Sequence, residues 1–89
     1  MSSQPGVVHN PAANRYELRL GSELVGVLDY LDRDGSRVLV HTEIEEARRE
    51  HGYGTALVAG AVEDVRESGL RVVPLCPFVQ DYLARGEER

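Results

Sequence analysis

Lysine is absent from these 89 residues: all ten basic side chains are arginine. Against them stand 15 acidic residues, for a net charge of −5. Such a surface does not attract nucleic-acid phosphates, and it tolerates a cationic partner, although −5 is also an ordinary value for solubility. Cysteine is nearly absent too. Cys76 stands alone, so no disulfide can close within the chain, and a reducing cytosol is the expected setting. No apolar run approaches the roughly 20 residues needed to cross a bilayer. The opening Met1-Ser2-Ser3-Gln4-Pro5-Gly6 has neither a basic start nor an apolar core, so no secretion signal is expected and the chain is read as cytoplasmic. Three histidines and one cysteine, scattered along the chain, match no zinc spacing. Repeats and low-complexity segments are missing. A chain of this length makes one domain with a modest core and limited stability.

What is present is a run of strand signals followed by one helix. Residues 1–13, rich in Ser, Pro, Asn and Ala, read as a flexible lead-in with Val7-Val8-His9 as a short edge strand. Residues 14–89 read as the single domain. Residues 15–20 alternate polar and apolar, the mark of a half-buried strand. Residues 24–31 carry Leu24, Leu28 and Tyr30 on one face and Val25, Val27 and Leu31 on the other, which predicts a central strand. Asp32-Arg33-Asp34-Gly35 reads as a hairpin turn and residues 37–43 as the third strand. After a polar connection over 45–51, a helix is predicted from 52 to 68. Tyr53, Leu57, Ala61 and Val65 form its apolar stripe, with Val58 and Val62 alongside, and Gly69 is its stop. Residues 71–76 form a last strand, and a helical crossover predicts that it lies parallel to the third. Pro77 opens a short final helix with Phe78, Tyr82 and Leu83 facing inward. The class is α+β: an antiparallel meander followed by a βαβ unit.

Pro74 adds a local expectation. Lacking an N–H, it cannot complete a ladder rung, so its strand should part from the third strand there. The parted pair would leave a wedge faced by unpaired backbone of Thr42 to Ile44. The plainer alternative is that Pro74 merely ends an edge strand.

The stretch Arg49-Glu50-His51-Gly52-Tyr53-Gly54-Thr55-Ala56 reads R-x-x-G-x-G-x-A and runs into the helix. The first amides of a helix lack internal partners and point outward, and glycine lets an anion approach them. No Lys-Ser or Lys-Thr follows, so this is not a Walker loop; Leu57 stands where a dinucleotide fingerprint needs a third glycine. A glycine-rich helix start with no ligand is the competing reading. The loop is similar to the coenzyme A loop of the GCN5-related N-acetyltransferases, usually R/Q-x-x-G-x-G/A. Upstream lies His41-Thr42-Glu43-Ile44, and downstream Val72-Val73-Pro74-Leu75-Cys76-Pro77-Phe78-Val79 with Tyr82 beyond. In that order the three motifs resemble the small single-cysteine branch of that superfamily, over roughly residues 15 to 85. The chain departs from the pattern at Arg48-Arg49-Glu50-His51 and in the polar tail Gly86-Glu87-Glu88-Arg89.

The resemblance implies acetyl-CoA as cofactor. Its pyrophosphate would lie on Arg49, His51, Gly52, Tyr53, Gly54, Thr55 and Ala56, and its pantetheine arm in the wedge beside Thr42 and Ile44. It implies transfer of acetyl to an unidentified amine, with a peptide or protein lysine among the candidates. The rivals are a coenzyme A-binding module without catalysis and a small α/β interaction domain without a ligand. Cys76 is either an acyl-accepting thiolate or a small buried hydrophobe. His41 is a base for the thiol or the amine, or a hydrogen-bonded strand-end residue. Glu43 shares the face of His41 and is a general base or a solvated carboxylate. Tyr82 protonates the departing thiolate or fills the core. His9 and His51 are read as surface residues. The implied partners are acetyl-CoA and the amine, with neither nucleic acid nor membrane, and the state is a monomer or weak dimer. A chain without lysine cannot acetylate its own side-chain amines.

Overall fold

Five strands and two helices account for most of the chain. The computed structural model describes residues 5–49 and 51–85. Strands β1 (Pro5–Asn10), β2 (Arg15–Leu20), β3 (Glu23–Arg33) and β4 (Ser36–Ile44) pair antiparallel in chain order. Helix α1 (Tyr53–Glu67) then carries the chain to β5 (Arg71–Pro74), which lies parallel to β4, and α2 (Pro77–Arg85) follows. This is the expected α+β arrangement of a meander followed by βαβ. Short turns force the antiparallel pairs, and the helical crossover permits the parallel one. Gly52 and Gly69 bracket α1 with φ of 77° and 81°, a region that favours glycine.

One face of the sheet and the stripe of α1 form the core. Leu18, Leu28, Leu39, Leu57, Val58, Ala61 and Val65 are wholly buried in it, and Cys76 and Val79 extend it below α2. The lead-in contributes more than a short strand. All six residues of β1 pair with β2, and a 3₁₀ turn at Pro11–Ala13 joins them. A Cβ at Gly60 of α1 would stand 2.6 Å from a methyl of Val7, so the helix backbone lies directly on this strand. Residues 1–4 of the expected lead-in lie outside the described residues.

Two bulges reset the faces. Leu18 pairs with Gly26 but Arg19 pairs with Leu24, so Val25 is an extra residue on β3. Val25 is buried and Leu24 exposed, the reverse of the alternation expected from the sequence. Leu31, expected on an apolar face of a central strand, is also exposed. A second shift, between Asp29 and Tyr30, makes Val40 the extra residue of β4.

Polar groups are buried in two places. On the helix side, Arg37 donates to both carboxylate oxygens of Asp32 (2.7 and 2.9 Å) and to the Tyr16 hydroxyl (2.9 Å), and lies over the Tyr30 ring. Tyr16 donates in turn to Asp64 of α1 (2.7 Å). The His9 ring stacks on Tyr16, and its Nε2 is 2.7 Å from the Tyr30 hydroxyl. His9 is therefore not the surface residue the sequence suggests. It ties β1 to β3, as only the pairing of strands distant in sequence could reveal.

The second place is Glu17 on the other face, 4% exposed. The Asn10 amide and the Arg15 and Arg19 guanidiniums all donate to it and hold its carboxyl at about 2, against an ordinary 4.5. A depressed carboxylate stabilises the fold above its unfolded pKa, and that contribution is lost as pH falls through the folded value. Stability should thus decline from about pH 4.5 toward about pH 2. Glu17→Gln should flatten this part of the curve and cost on the order of 2 kcal/mol at neutral pH, since the two arginines are partly solvated. Denaturant melts of both proteins across that range check it. Asp32, also held low by Arg37, supplies a slope common to both.

Candidate active-site cleft

The ladder between β4 and β5 ends where proline requires it to. Leu39 pairs with Pro74, the last residue of β5. The amides of Leu75 and Cys76 both turn back to the Leu39 carbonyl, at 3.0 Å each. β5 is therefore shorter than the expected 71–76, while β4 runs on to Ile44 without that neighbour. The gap is the expected wedge. It opens a cleft of about 510 Å³, within the usual range for small-molecule sites.

Each wall has a different chemistry. From β4 come His41, Thr42, Glu43 and Ile44; from the loop and the start of α1 come Arg49, Gly52, Gly54 and Thr55. Phe78 of α2 closes the far side. The Ala56 amide donates to the Gly52 carbonyl (3.2 Å), the first bond inside the helix. The amides of Tyr53, Gly54 and Thr55 precede it and have no acceptor within the helix. Arg49 stands beside them, its Nε donating to the Ile44 carbonyl at 3.1 Å. Arg48 forks onto Glu23 at 3.0 Å and fixes the 3₁₀ turn Glu46–Arg48 to the start of β3. The cleft thus offers first-turn amides and a guanidinium at one end and, along its length, an edge of β4 without a neighbouring strand, on which the Thr42 amide faces Cys76 and the Ile44 carbonyl accepts from Arg49.

Gly54 has a reason to be glycine that the motif does not show. A Cβ there would stand 2.9 Å from two atoms of the Phe78 ring. Phe78, expected to face inward, is instead the exposed wall of the cleft, and Val79 is the wholly buried residue of α2. Placing Phe78 required knowing that α2 folds back over α1.

Cys76 is 5% exposed and Thr42 Oγ1 is 3.4 Å from its sulfur. Burial by itself would raise the thiol pKa. The Thr42 hydroxyl and the backbone amides of Val79, Phe78 and Thr42 outweigh it and hold the pKa below the ordinary value. Two of these donors belong to the first turn of α2, as the position before Pro77 suggests. The sequence pairs Cys76 with His41; the structure pairs it with Thr42. Thr42 lies opposite buried Leu28 in register, on the helix side, which turns His41 and Glu43 to the other face. Those two side chains are about three-fifths exposed, with His41 Nε2 3.4 Å from Glu43 Oε1.

The other candidates stand back from the cleft walls. Tyr82, Tyr53 and Ala56 are half-buried against the core. His51 is exposed, its ring tilted against Tyr53. Among the described residues no three side chains form a metal-binding group, and no helix is long and apolar enough to cross a membrane.

A family model described as GCN5-related N-acetyl-transferase matches residues 15–89, which span every element from β2 onward. No curated protein matches the chain.

Proposed function

The chain belongs to the GCN5-related N-acetyltransferase family, and from that premise we propose that it binds acetyl-CoA in the cleft between β4 and α2 and transfers the acetyl group to an amine. The observation that carries this reading is the edge of β4 beyond Leu39, without a neighbouring strand, meeting the start of α1 at Gly54 and Thr55 and the Arg49 side chain in one cleft. The residues fit the cofactor. The amides of Tyr53, Gly54 and Thr55 with the Arg49 guanidinium suit a pyrophosphate. Backbone groups of Thr42 and Ile44 suit the amides of an extended arm, as a sheet edge suits an added strand. Ile44 and Phe78 supply apolar walls. The side chains of His51, Tyr53 and Ala56 stand back from the cleft walls and would support the loop.

When bound, the thioester supplies the acetyl group. The chain must then hold the amine neutral and receive its proton. His41 and Glu43 line the cleft and are open to solvent. His41 Nε2 stands 3.4 Å from Glu43 Oε1, and a neutral imidazole has one ring nitrogen able to accept a proton. In direct transfer His41 would take the proton that the amine gives up as the acetyl group moves from sulfur to nitrogen, and solvent at the open cleft would protonate the departing thiolate. A second reading follows from the stabilised thiol. Cys76 would take the acetyl as a thioester and pass it to the amine. Neither Tyr82 nor Cys76 is among the residues lining the cleft, so the covalent route requires the buried thiol to be uncovered before it can reach the acetyl group, and Tyr82 is given no role as the acid.

Calorimetric titration with acetyl-CoA tests the reading, and absence of heat at millimolar ligand removes it. His41→Ala should keep that heat and lower transfer by about 10²- to 10⁴-fold. Cys76→Ala separates the routes: transfer within a few-fold of wild type means direct attack, and background transfer means the covalent route. Binding that persists with no amine turned over would mark a coenzyme A-binding module.

A further inference from the structure

Gly26 is buried within β3, yet its backbone does not demand glycine: it lies outside the left-handed region that Gly21, Gly35, Gly52 and Gly69 occupy. What demands glycine there is space. Gly26 pairs with Ile44 across the β3–β4 ladder. A Cβ at position 26 would stand 2.5 Å from the Cδ1 methyl of Ile44 and 3.1 Å from the Glu43 carbonyl oxygen. The Ile44 side chain therefore reaches back from the cleft wall and rests its last carbon where a side chain of residue 26 would be. Glycine inside a strand marks close approaches of this kind.

The surroundings leave that methyl one way out. β3 lies on one side of β4. Toward α1, Ile44 Cγ1 stands 3.7 Å from where a Cβ of Gly54 would lie, and the Phe78 ring covers Gly54 in turn. On the remaining side β4 has no neighbouring strand beyond Leu39, and the cleft begins. Pressure on the Glu43 carbonyl acts in the same direction, because no strand backs β4 there. Gly26 and Gly54, on different elements, thus clear a layer for two apolar side chains, Ile44 and Phe78, which face one cleft.

We propose that Gly26, which does not itself line the cleft, is a positioning residue for the cofactor: it sets the width of the cleft by holding the Ile44 side chain back from it, where the arm of the ligand passes between Ile44 and Phe78. The inference rests on the acetyl-CoA reading for its ligand, but the device belongs to the free protein. Stability alone would favour another residue here, since glycine in a strand costs backbone entropy and brings no side chain to pack. The obstruction that a side chain at position 26 creates is one methyl group, moved from over β3 into the path of the arm.

The test begins with Gly26→Ala. The variant should fold, because the nearest atom it meets is the mobile end of a side chain, and its Tm should stay within about 5 °C of wild type. Its affinity for acetyl-CoA, measured by calorimetry, should fall about 10-fold, the scale of one misplaced methyl in an apolar pocket. Ile44→Val removes the Cδ1 methyl. Against that background Gly26→Ala should change affinity by less than about 3-fold, a rescue that a merely structural role would not give. In the ligand-free proteins, nuclear Overhauser contacts should place the Ile44 δ1 protons against the Gly26 α-protons in wild type and away from residue 26 in Gly26→Ala. Unchanged affinity in Gly26→Ala, the same loss with and without the Ile44 methyl, or a methyl that stays over residue 26 would overturn the proposal. A Gly26→Ala protein too unstable to titrate would assign Gly26 to the core and overturn it as well. Wild-type protein that gives no acetyl-CoA heat would count against the cofactor reading, and the methyl positions would then decide this inference by themselves.

Discussion

Gly54→Glu should abolish acetyl-CoA binding, by 100-fold or more, and leave a folded domain. Two effects act together. A Cβ at position 54 meets the Phe78 ring at 2.9 Å and displaces it from the wall of the cleft it now forms. The new carboxylate then reaches the amides of the first turn and places negative charge where a pyrophosphate would sit. The fold should tolerate the change for the same reasons. A glutamate in a first turn is electrostatically favourable, and the Phe78 ring is partly exposed and able to swing outward. Gly54→Ala isolates the steric part and should weaken binding by a smaller factor. Calorimetry for binding and circular dichroism for folding check both. Wild-type affinity in Gly54→Glu would move the cofactor out of this cleft.

Arg37→Met should be the most damaging substitution to stability. The side chain is 8% exposed and engages Asp32 through two bonds, the Tyr16 hydroxyl through a third and the Tyr30 ring face. Asp32 holds the Arg37 guanidinium firmly in its charged form. Methionine fills much of the volume but leaves Asp32 without its partner. The expected loss is on the order of 2–4 kcal/mol, because Asp32 is half-exposed and water can replace part of what it loses. For a domain this small that lowers Tm by about 10–25 °C. Arg37→Lys keeps the charge without the planar fork and should fall between the two. Thermal melts of the three proteins decide it. A loss below about 1 kcal/mol for Arg37→Met would mean that the ion pair contributes little.

The features legible in the sequence are those decided by one residue's own covalent chemistry. Pro74 has no N–H, so the end of the β4–β5 ladder could be placed from its position alone. Gly52 and Gly69 bracket α1 because only glycine readily takes the conformations found there. The stripe from Leu57 to Val65 reported its own burial through the helical period. What stayed hidden depends on pairing. Whether Val25 or Leu24 faces inward is set by a bulge in the β2–β3 register, which neither strand encodes by itself. The partner of Cys76 is Thr42 because of how β4 presents its faces to α1. The walls of the cleft illustrate the same division: its glycines and β4 residues were readable from motif and period, but Phe78 belongs to it only because α2 returns over α1.

The contact between Arg49 and the Ile44 carbonyl makes the cleft self-capped. In the free protein that carbonyl already has a donor, so a ligand amide arriving there exchanges one hydrogen bond for another and gains little enthalpy at that point. The displaced guanidinium is then free for an anion at the adjacent mouth. The two halves of a long ligand are therefore thermodynamically coupled. A fragment bearing only the neutral arm meets a carbonyl already occupied by Arg49, and a fragment bearing only the phosphates is left the terminal nitrogens of the guanidinium while Nε stays on Ile44. The intact molecule satisfies both groups at once, so its affinity should exceed what the fragments, measured singly, would lead one to add up.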